Sequence, residues 1–187
     1  MNLIADSFVT IIRCIWIGWI LDNVSTCLLA YFDLCRHRSY EGEPATRLEA
    51  ITDPEITQSF ENRVTENKGR LIMDGAYALS QGIKARNNGE SPCVIAAKFH
   101  NTIINMTVEA VTSVSQTTGI QDICLCGGCF QNAILTKGLV RGLQQIGLRP
   151  YLHRALSPSD ESISLGQLCI GAAHRASTTL NNQQMEK

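Results

Sequence analysis

The chain has 187 residues, 44% hydrophobic and 18% charged, with a formal net charge of -1. That is enough for one domain with a real core, and too apolar for a disordered chain. The near-neutral charge forms no basic patch or stripe, which removes the electrostatic case for nucleic acid.

The first residues, MNLIADS, lack a positive stretch and carry Asp6, so they do not read as a signal peptide. Residues 11–34 read as an unusually greasy helix, with Trp16, Trp19, Ile20, Val24, Leu28 and Phe32 near helical spacing. Arg13 interrupts the apolar run and Asp22 closes it, so it is too short to span a bilayer. Such a helix belongs to a core or to a contact surface. No transmembrane segment is expected, and the reading is a cytoplasmic protein with mostly reduced thiols.

RSYEGEPATRLEAI begins as a polar turn and enters a helix at Pro44. Glu41 and Glu43 sit two apart on that turn, where carboxylates are usually solvated. TDPEITQSFENRVTENKG is polar and turn-rich and reads as loop or weak structure. RLIMDG resembles a short strand, and AYALSQGIKARNNGE a helix closed by a glycine cap. The strongest helix follows, with Ser91 as N-cap and Pro92 as first residue, and it stops near QTTG. It carries His100, and a lone helical histidine is more often packed or hydrogen-bonded than a ligand.

The last third is a clear β-α-β-loop-α pattern, which favours a parallel sheet with helices on it. IQDICLC reads as a buried strand, Gly127-Gly128 as a sharp turn, QNAILTKGLVRGLQQI as a helix and RPYLHRAL as a second strand. SPSD starts the last helix, and the tail from 177 to 187 reads as frayed. The chain has eight cysteines, three of them in CLCGGCFQN at 124–132. A structural zinc site needs four ligands, and no second cysteine cluster accompanies this one, so the thiols read as small buried hydrophobes. Strand, two glycines, then helix is a way to bring backbone N–H groups against a ligand. Asn132 can either cap the helix or reach that ligand. Asp160, at the start of the last helix, can cap it or hold a cation at a phosphate.

The order of GWILD, SYEGEPA, KFHNTI, CGGCFQN and LHRALSPSDESISLGQ resembles the C-terminal part of the hydrogenase maturation carbamoyltransferase family, HypF. The likeness runs from about Gly18 to Ala176. The family has a Ser-Gly-Gly-Val-Phe-Gln-Asn run, so Cys126 stands at a serine position and Cys129 at an apolar one.

The resemblance implies an incomplete actin/Hsp70-like (ribonuclease-H-like) α/β lobe over 1–187, related to the tRNA threonylcarbamoyl-transfer enzymes. It implies carbamoyl transfer from carbamoyl phosphate, through a carbamoyl-adenylate made with ATP, to a protein thiol in NiFe-hydrogenase maturation. The implied partner is a maturation protein with a C-terminal cysteine. A separate chain supplying the missing domains is a further expected partner. Gly127, Gly128 and Asn132 would contact ATP or the adenylate, Gly18 and Asp22 would lie near the ribose, and Asp160 would hold a divalent metal such as Mg²⁺. The sequence departs from the family where Ile15, Trp16 and Trp19 replace two serines and an arginine, and where Glu161 and Ser162 replace two glycines. The family's upstream domains and the paired histidines that complete its metal site have no counterpart here. The alternative reading is a non-catalytic nucleotide-binding or assembly subunit, or the relic of a disrupted gene.

Overall fold

The computed structural model of the chain describes residues 15–185, and for 15, 16, 18, 19 and 176–185 the backbone alone. The start of the first expected helix, 11–14, and the side chains of Trp16 and Trp19 lie outside the described residues. The elements are α1 (Ile15–Tyr31), α2 (Glu43–Ala50), β1 (Val64–Asn67), β2 (Arg70–Met73), α3 (Gly75–Asn87), α4 (Pro92–Thr118), β3 (Asp122–Leu125), α5 (Ala133–Gln145), β4 (Arg149–Leu152) and α6 (Ile163–Met185). Two single 3-10 turns, Gly128–Gln131 and Asp160–Ser162, precede α5 and α6.

The greasy helix is core. Ile17, Ile20, Leu21, Val24, Leu28 and Leu29 of α1 are all buried, a stripe at helical spacing. It ends where Asp33 turns left-handed at φ 62° and the Leu34 N–H donates to Leu29 O. α3 approaches α1 through glycines: a Cβ on Gly75 would lie 2.8 Å from Ile20, and one on Gly82 2.9 Å from Leu28. α4 is the central element, with Ile95, Phe99, Ile103 and Met106 fully buried. Pro92 opens it and Gly119, at φ 73°, closes it, as the sequence predicts. The Ser91 hydroxyl makes no cap bond and faces Cys93 Sγ instead.

Two expectations are corrected. The stretch read as loop before Arg70 contains β1, which pairs antiparallel with β2 in the register Asn67↔Arg70 to Val64↔Met73. The cause is a two-residue turn with Lys68 and Gly69 both at positive φ, 52° and 74°. That geometry matches strand twist, and lysine in the first position disguises it. Glu43 is not solvated: it is buried and accepts the Ser39 N–H, and Arg47 pairs with it at 2.6 Å. That backbone N–H, helped by Arg47 and opposed by burial, holds its carboxyl below the ordinary range. The backbone of α6 is helical to Met185.

The C-terminal unit is the expected β-α-β-loop-α. β3 and β4 are parallel, with Asp122↔Arg149 through Leu125↔Leu152, and α5 connects them. Leu135, Leu139 and Leu143 of α5 are fully buried, and α5 packs on α4 through Gly138 and Gly142. Only one face of the pair is covered: Ile123 and Leu125 are buried, while Cys124 and its partner Tyr151, on the opposite face, are exposed. The strand is therefore half-buried, not fully buried. Along α6 the exposure continues, with Ile163 at 54% and Leu168 at 68%.

Candidate functional site

β3 and β4 end side by side, and the segments leaving their carboxyl ends meet. The Gly127 N–H donates to Pro158 O at 2.7 Å, which joins the glycine turn to the SPSD loop. Gly127 has φ 116° and ψ 155°, a conformation nearly closed to residues with a Cβ. A Cβ on Gly128 would meet nothing within 4 Å, so the space before that turn is open. On the other loop, Ser157 Oγ accepts the Ser159 N–H at 3.3 Å and lies 2.8 Å from Ser159 Oγ. In α/β sheets, ligands bind in the crevice beyond the carboxyl ends of parallel strands.

Beneath the turn lies a buried polar network. Asn132 caps α5, its Oδ1 accepting the Leu135 N–H at 2.8 Å. Its Nδ2 lies 3.1 Å from His100 Nε2, and His100 Nδ1 lies 2.8 Å from Ala96 O. A carbonyl only accepts, so Nδ1 carries the proton and Nε2 accepts from Asn132. Burial pushes the His100 pKa down, against the Ala96 carbonyl and the Glu49 charge, so the imidazole is neutral at pH 7. His100 is thus packed and hydrogen-bonded, as its sequence context suggests. Asn132 is committed at both ends of its amide.

Glu49 is a residue that sequence reasoning missed. From α2, its Oε1 accepts the Ala133 N–H at 2.6 Å and the Ile134 N–H at 3.3 Å. An acidic side chain at a helix N-terminus satisfies unpaired donors and the positive end of the dipole. No local pattern signals this, because 84 residues separate the partners.

Asp160 is exposed and heads its 3-10 turn, and neither it nor Ser159 makes a cap bond there. Gly18 and Asp22 lie one turn apart on α1, which packs against the Gly128–Gln131 turn. Asp22 Oδ2 is 3.8 Å from Arg38, whereas Oδ1 is buried without a partner among the described residues. A ligand hydroxyl would satisfy such an atom. Among the described residues, no three His, Cys, Asp or Glu side chains gather to hold a metal ion. Asp160 alone does not make a divalent-metal site, and no chemical step is routed through a metal here. Cys124 is exposed, while Cys126 and Cys129 are half-buried, with Cys129 against the core.

A glycine turn and an acidic loop, joined at the carboxyl ends of parallel strands, define one wall of an α/β ligand crevice. Residues 6–167 match the family model described as carbamoyltransferase, Kae1-like domain, second subdomain. The carbamoyltransferase HypF of Synechocystis sp. is 30% identical over 151 residues, covering 81% of this chain and 18% of that protein. The probable carbamoyltransferase HypF of Methanocaldococcus jannaschii is 26% identical over 151 residues, 80% of this chain and 19% of that one. Among solved structures, full-length HypF in its phosphate- and nucleotide-bound form superposes with a TM-score of 0.73 at 30% identity, over 80% of this chain and 19% of that one. HypF of T. kodakarensis shares the fold at a TM-score of 0.66 and 23% identity, over 86% of this chain and 20% of that one. The chain belongs to the HypF carbamoyltransferase family, within the second subdomain of its Kae1-like domain. It spans about a fifth of the length of these relatives. Among the described residues, no helix is long and apolar enough to cross a membrane.

Proposed function

We propose that this chain contributes the nucleotide-facing wall of a carbamoyltransferase. ATP or a carbamoyl-adenylate would sit at the Gly127–Gly128 turn, and Asp22 would receive a ribose hydroxyl. The carbamoyl group of the adenylate would then pass to a thiol at the C-terminus of a partner maturation protein, a C–S bond replacing the C–O bond to AMP, which leaves as the thiol gives up its proton. The carrying observation is the 2.7 Å bond from Gly127 N–H to Pro158 O, which unites turn and acidic loop into one surface. A solved relative is described as phosphate- and nucleotide-bound, which supports a nucleotide here. Asp160 would need ligands from outside the described residues to hold Mg²⁺. A crevice needs a second wall, and the exposed apolar side chains of Tyr151, Leu156, Ile163, Leu165 and Leu168 suit its attachment. That wall would be the first subdomain of the Kae1-like domain.

Titration calorimetry of the folded chain with ATP, with and without Mg²⁺, tests the reading. Saturable ATP binding, weakened tenfold or more by Asp160→Ala when Mg²⁺ and a first-subdomain chain are both present, is the expected result. Equal affinity in both proteins would remove the aspartate's role, and no binding at all would leave the turn as architecture. The assembly-subunit reading is favoured by the same exposed side chains. It predicts tight capture of a first-subdomain chain, abolished by Leu168→Asp, without nucleotide affinity on either side.

A further inference from the structure

Sequence and ordinary capping explain why Asn132 starts α5, but not why its amide is pinned to a buried neutral histidine. The orientation of that amide is determined twice. Leu135 N–H requires the oxygen on one side, and a bare His100 Nε2 requires the NH₂ group on the other. Adding a proton to Nε2 places two donors face to face. Flipping the amide repairs that contact and breaks the cap, because the NH₂ group then faces the Leu135 N–H. No rotamer of Asn132 in place satisfies both neighbours once His100 is charged.

Asn132 is also the joint of the glycine turn. Its N–H donates to Cys129 O at 3.2 Å, its carbonyl accepts the Thr136 N–H at 3.0 Å, and Thr136 Oγ1 donates to Phe130 O at 2.9 Å. A displaced Asn132 therefore pulls directly on Cys129 and Phe130, the residues that follow Gly127–Gly128. We propose that His100 is a positioning residue for the ligand turn, and that its protonation switches the turn from an ordered to a loosened state through Asn132. The deduction deepens the nucleotide reading and rests on it for its consequence, but the switch itself needs no ligand.

The charged groups round His100 leave the switch to this pair. From α2, Glu49 favours the proton, yet its carboxylate is held by the Ala133 and Ile134 N–H groups, and Arg47 is paired with Glu43. After α2, Asp53 accepts the Glu55 N–H. On α4, Lys98 is bonded to Glu90 at 2.7 Å. On α5, Lys137 is exposed, and on α1 Asp22 faces Arg38. Thr52 Oγ1, 3.3 Å from Nδ1, already donates to Leu48 O and keeps that ring edge in place.

The test follows the backbone amide resonances of Gly127, Gly128 and Gln131 in the full chain from pH 8 to pH 5, beside the His100 ring signals. The expected result is a common midpoint below the ordinary histidine value of about 6.5. His100→Gln should leave the turn amides flat over that range. Asn132→Asp reverses the polarity of the pair, since a carboxylate accepts from a protonated Nε2, so its midpoint should rise by about one unit or more. Where acid unfolding precedes the wild-type midpoint, Asn132→Asp carries the test, with its midpoint nearer neutrality. Turn amides that stay flat while His100 titrates, or that titrate alike in His100→Gln, overturn the proposal. The matching ligand readout is an ATP Kd that rises at least fivefold below the midpoint in wild type and not in His100→Gln. Absence of ATP binding at pH 7.5 would count against the nucleotide reading alone, because the amide titration is independent of it.

Discussion

Replacing Glu49 isolates one of the two long-range contacts that hold the start of α5, the other being Asn132 to His100. The carboxylate accepts one short bond, 2.6 Å from Ala133 N, and one long bond, 3.3 Å from Ile134 N. A hydrogen bond to a charged group contributes about 1.5–3 kcal/mol net, and the long one adds little. A charge at a helix N-terminus adds about 0.3–1 kcal/mol. Against this, truncation releases roughly 1.5–2 kcal/mol of glutamate rotamer entropy, less whatever freedom the half-buried side chain retains. Glu49→Ala should then cost about 1–2 kcal/mol, and Glu49→Gln, which keeps the acceptor and loses the charge, about 0.5–1 kcal/mol. Urea unfolding with an unchanged m-value reads both numbers, and the Gln deficit, which is the contribution of the charge, should shrink as salt is added. Both variants falling within about 0.3 kcal/mol of wild type would refute the reasoning, because surface changes scatter that much on their own. The same variants locate the phosphate. With the nucleotide at the Gly127–Gly128 turn, Glu49→Ala should change ATP affinity less than about twofold, below 0.5 kcal/mol. A tenfold tightening would instead place the phosphate at the freed α5 N-terminus.

Three further outcomes test the packing and the site. In Gly138→Ala, the new Cβ would stand 2.3 Å from Ile104 Cδ1 and 3.1 Å from Cγ1. Overpacking of about 1–3 kcal/mol should outweigh a helix-propensity gain of about 1 kcal/mol. In an Ile104→Val background, thermal melts should show the same change to be neutral or stabilising. Gly127→Ala forces a Cβ onto φ 116° and should cost about 1–3 kcal/mol with loss of ATP affinity; an unaffected melt would argue against this turn geometry. For pH, the lowered His100 pKa means that the unfolded chain binds the extra proton. Its contribution is complete above about pH 6.5 and is lost as pH falls below it, with a slope of at most about 1.4 kcal/mol per pH unit. Denaturation midpoints measured from pH 7.5 to 5.5 should show this slope in wild type and lose it in His100→Gln.

Local chemistry determined most of the elements. Pro92 and Gly119 bound α4, Pro44 opens α2, and the alternation from Gln121 to the SPSD loop encodes a β-α-β unit, because each of these signals acts within a few residues. The family was likewise written in the order of short motifs, and residues 6–167 carry it. What the sequence alone could not decide depends on partners far along the chain. Lys68 and Gly69 make a hairpin only once β2 lies beside β1, and Glu43 is buried only because the Ser39 N–H and Arg47 receive it. Tertiary structure alone put Glu49 on α5, His100 under Asn132, and Gly127 against Pro158. It also left one face of β3 and β4 bare, since nothing in a strand's own alternation says whether a second layer will cover it. Periodicity is a property of neighbours in sequence, whereas a buried hydrogen bond between distant residues is a property of the packed chain, and in this protein the site is made of the second kind.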